Sequence, residues 1–433
     1  MAIRRNPSSQ RAQRGASRVA GRRSDSARRA RRWSREPGAA RLATPPRDKV
    51  LLVFGTRPEA IKMAPIIHRL QRSGALDVSI CVTAQHRELL DQMMDAFGLQ
   101  ADHDLGVMSD NQGLTETFAT ILNRLAPIVR AERPAAVLVQ GDTSSALAGA
   151  LAAYHARVPV GHVEAGLRTG NAYEPFPEEL NRQLVARLAT WHYAPTAKAA
   201  SNLLREGIAA ERILVTGNTI VDALHHICER IDCSRANPRS RKANTGERML
   251  LVTAHRRENF GNGIENICAA LRSLGDRNPD LRIVYPVHPN PSVDRPVRKL
   301  LGSHPQIRLI APVDYVSFID LMRRADVILT DSGGIQEEAP SLGVPVLVTR
   351  DTTERPEGIE AGVARLVGTD GAAIITHVEQ LLRDDTMRAR MRRTVSPYGD
   401  GRAAERIGEH LEQNLGAGQA LRQAEAASGG ARR

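Results

Sequence analysis

The first sustained apolar run is Lys49-Val50-Leu51-Leu52-Val53-Phe54, continuous rather than alternating. Such a run suits a strand buried on both faces of a parallel sheet. Gly55-Thr56-Arg57-Pro58-Glu59-Ala60 follows, with a turn-permitting Gly, a capping Thr and a Pro-Glu helix opening, so a helix is predicted to continue through Pro65. The alternation recurs. Strands are expected at 77–83, 136–140 and 158–163, and helices at 87–97, 115–132 and 144–157. A second series begins after Gly217, with strands at 249–253, 282–287, 307–310, 327–330 and 344–348 and helices at 262–274, 315–324 and 335–341. Strands alternating with helices imply right-handed βαβ units and open parallel sheets. The expected fold class is therefore α/β, with two Rossmann-like domains around a central cleft.

Domain limits follow from shifts in pattern. Residues 1–47 form an Arg-rich tail expected to be disordered, 48–217 an N-terminal domain, and 218–400 a C-terminal domain. A helix within 401–420 is expected to pack back on the N-terminal domain, and 421–433 form a flexible end. The polar stretch 235–247 carries no periodicity and is expected to be a surface loop.

Charge changes this picture only at one end. The 433-residue chain has a net charge of +12. Residues 1–47 hold fourteen Arg, no Lys, and only Asp25 and Glu36 as acids, so they carry the whole excess. The rest balances at 46 basic against 46 acidic residues, which argues against a nucleic-acid-binding body. An Arg-rich segment attracts nucleic acid or anionic lipid electrostatically, and equally is an idle extension. It lacks the apolar stretch of a secretion signal. Aromatic residues make up only 3%, so the core must be built from Ala, Leu, Ile and Val. Cys81, Cys228, Cys233 and Cys268 show no CxxC spacing and suit reduced thiols. No apolar run is long enough to span a bilayer, so the expectation is a cytoplasmic protein without membrane contact.

Candidate chemistry lies just after the strands, where open α/β sheets bind ligands. Asp331-Ser332-Gly333-Gly334 leads into Ile335-Gln336-Glu337-Glu338. Backbone N–H groups and a Ser hydroxyl there make an anion cradle at a helix N-terminus, and Glu338 is placed to meet a ribose diol. A plain capped turn is the alternative. No strand is followed by G-x-G-x-x-G, and the chain has neither a G-x-x-x-x-G-K-[ST] loop nor H-E-x-x-H. A dinucleotide cofactor, a P-loop nucleotidase and a zinc protease thus lose support. The thirteen His lack metal-ligand spacing, so no metal and no cofactor is expected.

Asp142 and Glu164 follow predicted strands, while Glu178 and Glu179 are expected in the Pro-rich loop Tyr173-Glu174-Pro175-Phe176-Pro177. Carboxylates gathered in one cleft raise one another's pKa and supply a general acid and base. Alternatively, Asp142 caps the helix at Ser144 and the others are solvated. His255-Arg256-Arg257-Glu258 sets an imidazole beside two guanidiniums, and Arg350 and Arg355 follow a later strand. Arg suits phosphate, although Glu354 and Glu357 offer it surface ion pairs. Together these positions describe a diphosphate cleft facing carboxylates.

Gly55-Thr56-Arg57-Pro58-Glu59-Ala60, Gly141-Asp142-Thr143, Gly161-His162-Val163-Glu164-Ala165-Gly166, Pro175-Phe176-Pro177-Glu178-Glu179, His255-Arg256-Arg257-Glu258-Asn259 and Asp331-Ser332-Gly333-Gly334-Ile335-Gln336-Glu337-Glu338 occur in that order. This series resembles the non-hydrolysing UDP-N-acetylglucosamine 2-epimerases from about Lys49 to Arg406. The resemblance implies a glycosyltransferase B type fold, a homodimer, and UDP-N-acetylglucosamine as substrate. It further implies conversion to UDP-N-acetylmannosamine through 2-acetamidoglucal for surface polysaccharide synthesis, with neither metal nor nicotinamide. Carried over by position, it makes Asp142, Glu164 and Glu178 acid–base candidates and His255 a contact to the UDP leaving group. Arg57 and Lys62 would lie near substrate, Phe318 near uracil, Ser332, Gly333 and Gly334 on the diphosphate, Glu338 on ribose, and Arg355 across the cleft. Some bacterial members bind a second UDP-N-acetylglucosamine as activator, and Gln85, Arg256 and His288 match those contacts. Glu88 and Gln112 depart from that pattern, where relatives carry Gln and Arg. The Arg-rich tail has no counterpart in the resemblance.

Overall fold

In the computed structural model, the described residues are 47–84, 87–108, 113–234, 247–353, 355–393 and 396–415. The expectations for residues 1–46, 235–246 and 421–433, and for Gln85 and Gln112, lie outside them.

The first half runs β1 (Lys49–Phe54), α1 (Arg57–Ser73), β2 (Asp77–Val82), α2 (Arg87–Phe97), β3 (His103–Asp104), α3 (Leu114–Glu132), β4 (Ala136–Gln140), α4 (Ser144–His155), β5 (Val160–Val163), α5 (Glu178–Leu188), β6 (Trp191–Ala194), α6 (Ala197–Arg205) and β7 (Ile213–Val215). Its seven strands are all parallel, ordered β3-β2-β1-β4-β5-β6-β7. After α7 (Thr219–Ser234), the second half runs β8 (Arg248–Thr253), α8 (Asn262–Arg277), β9 (Leu281–Pro286), α9 (Pro291–Leu301), β10 (Ile307–Ile310), α10 (Tyr315–Arg324), β11 (Val327–Thr330), α11 (Gly333–Ser341), β12 (Val346–Val348), α12 (Pro356–Glu360), β13 (Ala364–Leu366), α13 (Gly371–Arg383), α14 (Asp385–Arg393) and α15 (Ala403–Asn414). Its six strands are also parallel, ordered β10-β9-β8-β11-β12-β13. The expected α/β class with two Rossmann-like sheets is what the chain forms.

The central strands are apolar without alternation because helices cover both faces: Val50 to Phe54 are fully buried, as are Val137 to Val139 and Leu250 to Val252. Strands as short as β6, β7 and β13 hold too few residues to show a period, and their pairing partners select the conformation.

Helix α7 joins the halves. It packs on α1 from the first half and on α10 and α11 from the second. Its Ile220, Leu224, Ile227 and Ile231 belong to one continuous apolar cluster that runs from the β1–β2 face to Ile328 and Ile335. Helix α15 returns to pack on α1 and α7. Asp222 of α7 accepts hydrogen bonds from the Ala403 and Ala404 N–H groups at 3.2 and 2.8 Å, so one helix caps another. Arg69 of α1 meets Glu405 at 2.9 Å and Glu412 at 2.8 Å on the same returning helix.

The β1–α1 turn is drawn tight. Glu59 is buried and accepts from the Gly55 and Thr56 N–H groups, the Thr56 hydroxyl and the Thr143 hydroxyl at 3.1, 2.8, 2.7 and 2.7 Å. It thereby ties the turn after β1 to the turn after β4. Burial lifts its carboxyl to about 7 against the opposing pull of these donors.

A Cβ on Gly55 would lie 1.8 Å from Thr83 Oγ1 and 2.5 Å from Ser145 Oγ. Gly55→Ala should therefore destabilise the protein by about 1–3 kcal/mol, read as a lower urea midpoint or melting temperature. An unchanged melt would mean that the Thr83–Ser145 pair yields without cost.

Candidate functional site

In an open parallel sheet, the place where strand order reverses leaves a crevice beyond the carboxyl ends. That place lies between β1 and β4 in the first sheet and between β8 and β11 in the second. The turns that follow carry Arg57 and Asp142 on one side, and His255 and Ser332 on the other. Sequence positions hundreds of residues apart thus converge at the seam.

A cavity of about 420 Å³ opens there. Arg57 and Lys62 from α1, His255, Phe318 from α10, Ser332, Gly333, Gly334 and Glu338 at α11, and Arg355 before α12 all line it. Arg256 and His288, matched on the resemblance to contacts of an activating second UDP-N-acetylglucosamine, also line this cavity. His288 stacks on His255, with ring centroids 5.4 Å apart and planes 10° from parallel. Gln85 lies outside the described residues.

Asp142, Glu164 and Glu178 do not line the cavity. Glu164 is joined to it through Lys62, whose ammonium hydrogen-bonds to Glu164 Oε1 and lies 3.7 Å from Glu337 Oε2. The side chains of Lys62, Glu164 and Glu337 are 9%, 7% and 3% exposed. Lys62 and Glu164 come from the first half, and Glu337 from the second. Burial opposes both charges, but the attraction wins: Glu164 is held below the usual carboxylate range and Lys62 above its own. Gln140 Nε2 and Asn218 Nδ2 also donate to Glu164. The Glu164 backbone sits at φ 64°, in the left-handed region. That conformation costs a residue with a Cβ about 1 kcal/mol, offset here by the three donors that receive the carboxylate.

Asp142 does not cap the following helix; Thr143 does, accepting from Ala146 N–H at 3.1 Å. The Asp142 side chain is therefore left for Arg182, whose Nη2 donates to Oδ2. Burial raises the Asp142 pKa, Arg182 lowers it and Glu164 raises it, with a net upward result. Glu178 and Glu179 are not loop residues. They form the first turn of α5, where negative side chains meet the positive end of the helix. Glu179 is fully buried and accepts from Thr169 and Gly170 N–H at 3.1 and 3.4 Å, whereas Glu178 stays partly exposed. One acid of the pair thus anchors the preceding loop.

Two further acids organise the cationic wall. Glu337 accepts from Arg355 Nε at 2.8 Å, so Arg355 pairs with it rather than with the neighbouring Glu357, which accepts from Thr196. Glu337 and Glu338 are adjacent on α11 and about 100° apart around its axis. One faces the ion network; the other lines the cavity, accepts from Tyr315 Oη at 3.0 Å, and is lifted to about 7 by burial. Asp331 is fully buried and accepts from His255 N–H, Arg256 N–H and Asn259 Nδ2 at 2.7, 2.8 and 3.1 Å. Its Oδ1 lies 3.4 Å from His255 Nδ1. Burial depresses the His255 pKa more than Asp331 restores it, so the imidazole is neutral at pH 7. Arg350, from the other strand end, pairs with Glu258 at 2.6 Å.

Sequence reasoning passed over Glu59, Asp331, Glu337 and Arg182. The helical period of α11 could have separated Glu337 from Glu338, and the Thr56-x-x-Glu59 spacing is that of a capping box; no local signal marks Asp331 or Arg182 for its partner across the fold. Among the described residues, no group of three His, Cys, Asp or Glu side chains is arranged to hold a metal ion, and no helix is long and apolar enough to cross a membrane.

The family model described as UDP-N-acetylglucosamine 2-epimerase matches residues 68–412. The chain belongs to this family. A Yersinia pestis UDP-N-acetylglucosamine 2-epimerase is 52% identical over 371 residues, spanning 84% of this chain and 99% of that protein. The crystal structure of UDP-GlcNAc 2-epimerase from Neisseria meningitidis bound to UDP-GlcNAc superposes with a TM-score of 0.78 at 46% identity, covering 84% of this chain and 99% of the other. The S. aureus MnaA–UDP co-structure gives a TM-score of 0.75 at 45% identity, covering 85% and 96%. These neighbours share the glycosyltransferase B type arrangement of two Rossmann-like domains, which the resemblance implied.

Lys62→Met should leave Glu164 buried without its cation and cost about 3–5 kcal/mol, while Lys62→Met with Glu164→Gln should recover most of the loss. The folded pKa of Glu164 lies below its ordinary 4.5, so the pair's contribution is complete above pH 4.5 and fades as pH falls through the folded value. Melting temperatures of wild type and Lys62→Met should accordingly converge in acid; a constant gap would separate the stability loss from Glu164 ionisation.

A Cβ on Gly333 would lie 2.7 Å from Arg355 Nη1, whereas one on Gly334 meets nothing within 4 Å. Gly334→Ala should therefore fold like wild type yet bind UDP at least about tenfold more weakly by calorimetry, because the added methyl occupies the cradle. Unchanged UDP affinity would remove Gly334 from the anion site.

Proposed function

We propose that this protein interconverts UDP-N-acetylglucosamine and UDP-N-acetylmannosamine by eliminating and re-adding UDP. The observation that carries this reading is the placement of Lys62. It lines the cationic, glycine-edged cavity on one side and grips a buried carboxylate on the other. A sugar held between diphosphate and carboxylates would have its C1–O bond beside the cations and its C2–H bond toward the acids.

In the forward step, a carboxylate takes the C2 proton. The C–H electron pair forms the C1=C2 bond of 2-acetamidoglucal, and the C1–O pair leaves on the β-phosphate of UDP. In the return, a phosphate oxygen adds to C1 and a proton is delivered to C2 from the opposite face. Asp142 suits the proton acceptor, since burial raises its pKa whereas Lys62 holds Glu164 below the usual carboxylate range as a clamped carboxylate. Glu178 and Glu164 remain for the opposite face. Arg57, Lys62 and Arg355 offset the charge on departing UDP, and the Ser332-Gly333-Gly334 turn supplies N–H donors at the α11 N-terminus. The neutral His255 imidazole, held by its main-chain bond to Asp331 and by stacking on His288, offers a ring N–H donor to the leaving phosphate. Glu338, near half-protonated at pH 7, can both donate to and accept from the ribose hydroxyls. Phe318 lies in the same cavity for the uracil.

The family resemblance extends this reading to a homodimer supplying surface polysaccharide synthesis in the cytoplasm. Exposed Tyr173, Phe176, Leu180 and Leu184 offer an apolar surface for a second copy to cover.

The deciding experiment is proton NMR of UDP-N-acetylglucosamine with the purified protein in deuterated water. The expected result is UDP-N-acetylmannosamine with deuterium at C2 in the UDP-sugar pool. Free N-acetylmannosamine plus UDP would indicate a hydrolysing enzyme, and an acceptor-dependent product without C2 deuterium would indicate a glycosyltransferase. Asp142→Asn should abolish C2 exchange while retaining UDP binding. Arg355→Ala should weaken UDP binding by about 1.5–3 kcal/mol through loss of a charged hydrogen-bond donor. Undiminished affinity would displace Arg355 from the cleft.

A further inference from the structure

We propose that Arg182 is a positioning residue for the reaction: it holds Asp142 in place as an ionised proton acceptor, with Glu179 as its own anchor. This rests on the reading of Asp142 as the group that takes the C2 proton.

Three contacts carry the proposal. Arg182 Nη2 donates to Asp142 Oδ2, and Arg182 Nη1 pairs with Glu179 Oε2 at 3.2 Å. The neighbouring Asn181 donates from Nδ2 to the Asp142 main-chain oxygen at 2.9 Å. Adjacent residues of α5 therefore hold both the side chain and the backbone of Asp142. Glu179 is immobilised in turn by Thr169 N–H at 3.1 Å and Gln183 Nε2 at 3.1 Å. The guanidinium, 9% exposed, is thus gripped from both sides, and a planar fork suits that geometry where a flexible ammonium does not.

Charges reach Asp142 from several elements: Arg182 on α5, Glu164 after β5 and Lys62 on α1. Glu164 and burial favour the protonated acid; the two cations favour the carboxylate. Lys62 is engaged by Glu164 and Glu337, so Arg182 is the cation in hydrogen-bond contact with Asp142. His162 of β5 bonds through Nε2 to the Gly141 carbonyl at 2.8 Å and, pushed down to about 4 by burial, adds no charge at neutral pH. Arg182 does not line the cavity, so removing it leaves the cavity lining intact. Losing it should push the Asp142 pKa further upward and favour the protonated acid.

The test is the pH dependence of kcat and KM for Arg182→Gln and Arg182→Lys, with C2 deuterium exchange as a second readout and the melting temperature of each variant as the folding check. Arg182→Gln should move the acidic limb of the profile upward by about one pH unit, so that kcat falls by up to about tenfold on the acidic side of the limb and recovers in mild alkali. KM for UDP-N-acetylglucosamine should change less than about twofold. Arg182→Lys keeps the charge and should keep the limb nearer wild type, which also guards against a Gln variant that fails to fold. An equal loss at every pH, an unmoved limb, or an unchanged kcat would overturn the proposal. Asp142→Asn separates the two levels: if it retains exchange, the reading of Asp142 itself fails, whereas lost exchange with an unmoved Arg182→Gln limb sinks only the role of Arg182.

Discussion

The site depends on one buried ammonium. Lys62 reaches from the first helix of the chain into the seam between two sheets, where it meets Glu164 of its own half and Glu337 of the other. Taking three charges out of water is costly, and the cost is recovered only when each is paired in good geometry. Arg355 completes the arrangement by holding Glu337 from the far side. The electrostatic network and the apolar cluster threaded by α7 therefore join the halves at the same seam. Displacing any one of these side chains leaves another uncompensated, which is why the cationic wall and the carboxylates form one unit.

The same network divides labour among groups of like chemistry. Asp142 and Glu164 follow neighbouring strands, yet their environments push their ionisation apart: Glu164 is held charged by Lys62, whereas burial and the nearby Glu164 charge lift Asp142. Glu178 and Glu179 differ as sharply, one partly open at the start of a helix and the other fully buried as an anchor. Glu337 and Glu338 repeat the theme one helical position apart. In each pair, two groups of like chemistry are set apart by burial and by the partners they meet. Glu164 is held at positive φ where its carboxylate finds three donors.

The central strands were legible because a helix-covered parallel sheet demands unbroken apolar runs, and 50–54, 137–139 and 250–252 supply them. The cradle at Ser332-Gly333-Gly334 was legible because a strand, two glycines and a helix start must lie close in sequence to work. Helix α5 was misread as loop: two prolines and two acids resemble a turn until the acids are seen at a helix N-terminus. Glu59, Arg182, Asp331 and Glu337 were passed over because their roles lie in partners 84, 40, 76 and 18 residues away.

What the sequence by itself determined is the alternation of strand and helix, the parallel sheets that follow from it, and the chemical character of each strand end, because these rest on local pattern and short-range sterics. What the tertiary structure decided is which of those ends meet. Arg256 and His288 joined the cavity of His255, Lys62 chose Glu164 and Glu337, and Arg182 chose Asp142. The reason is physical: the energy of a buried charge depends on distance to its partner and on exclusion of water, and neither quantity exists until the chain has closed around it.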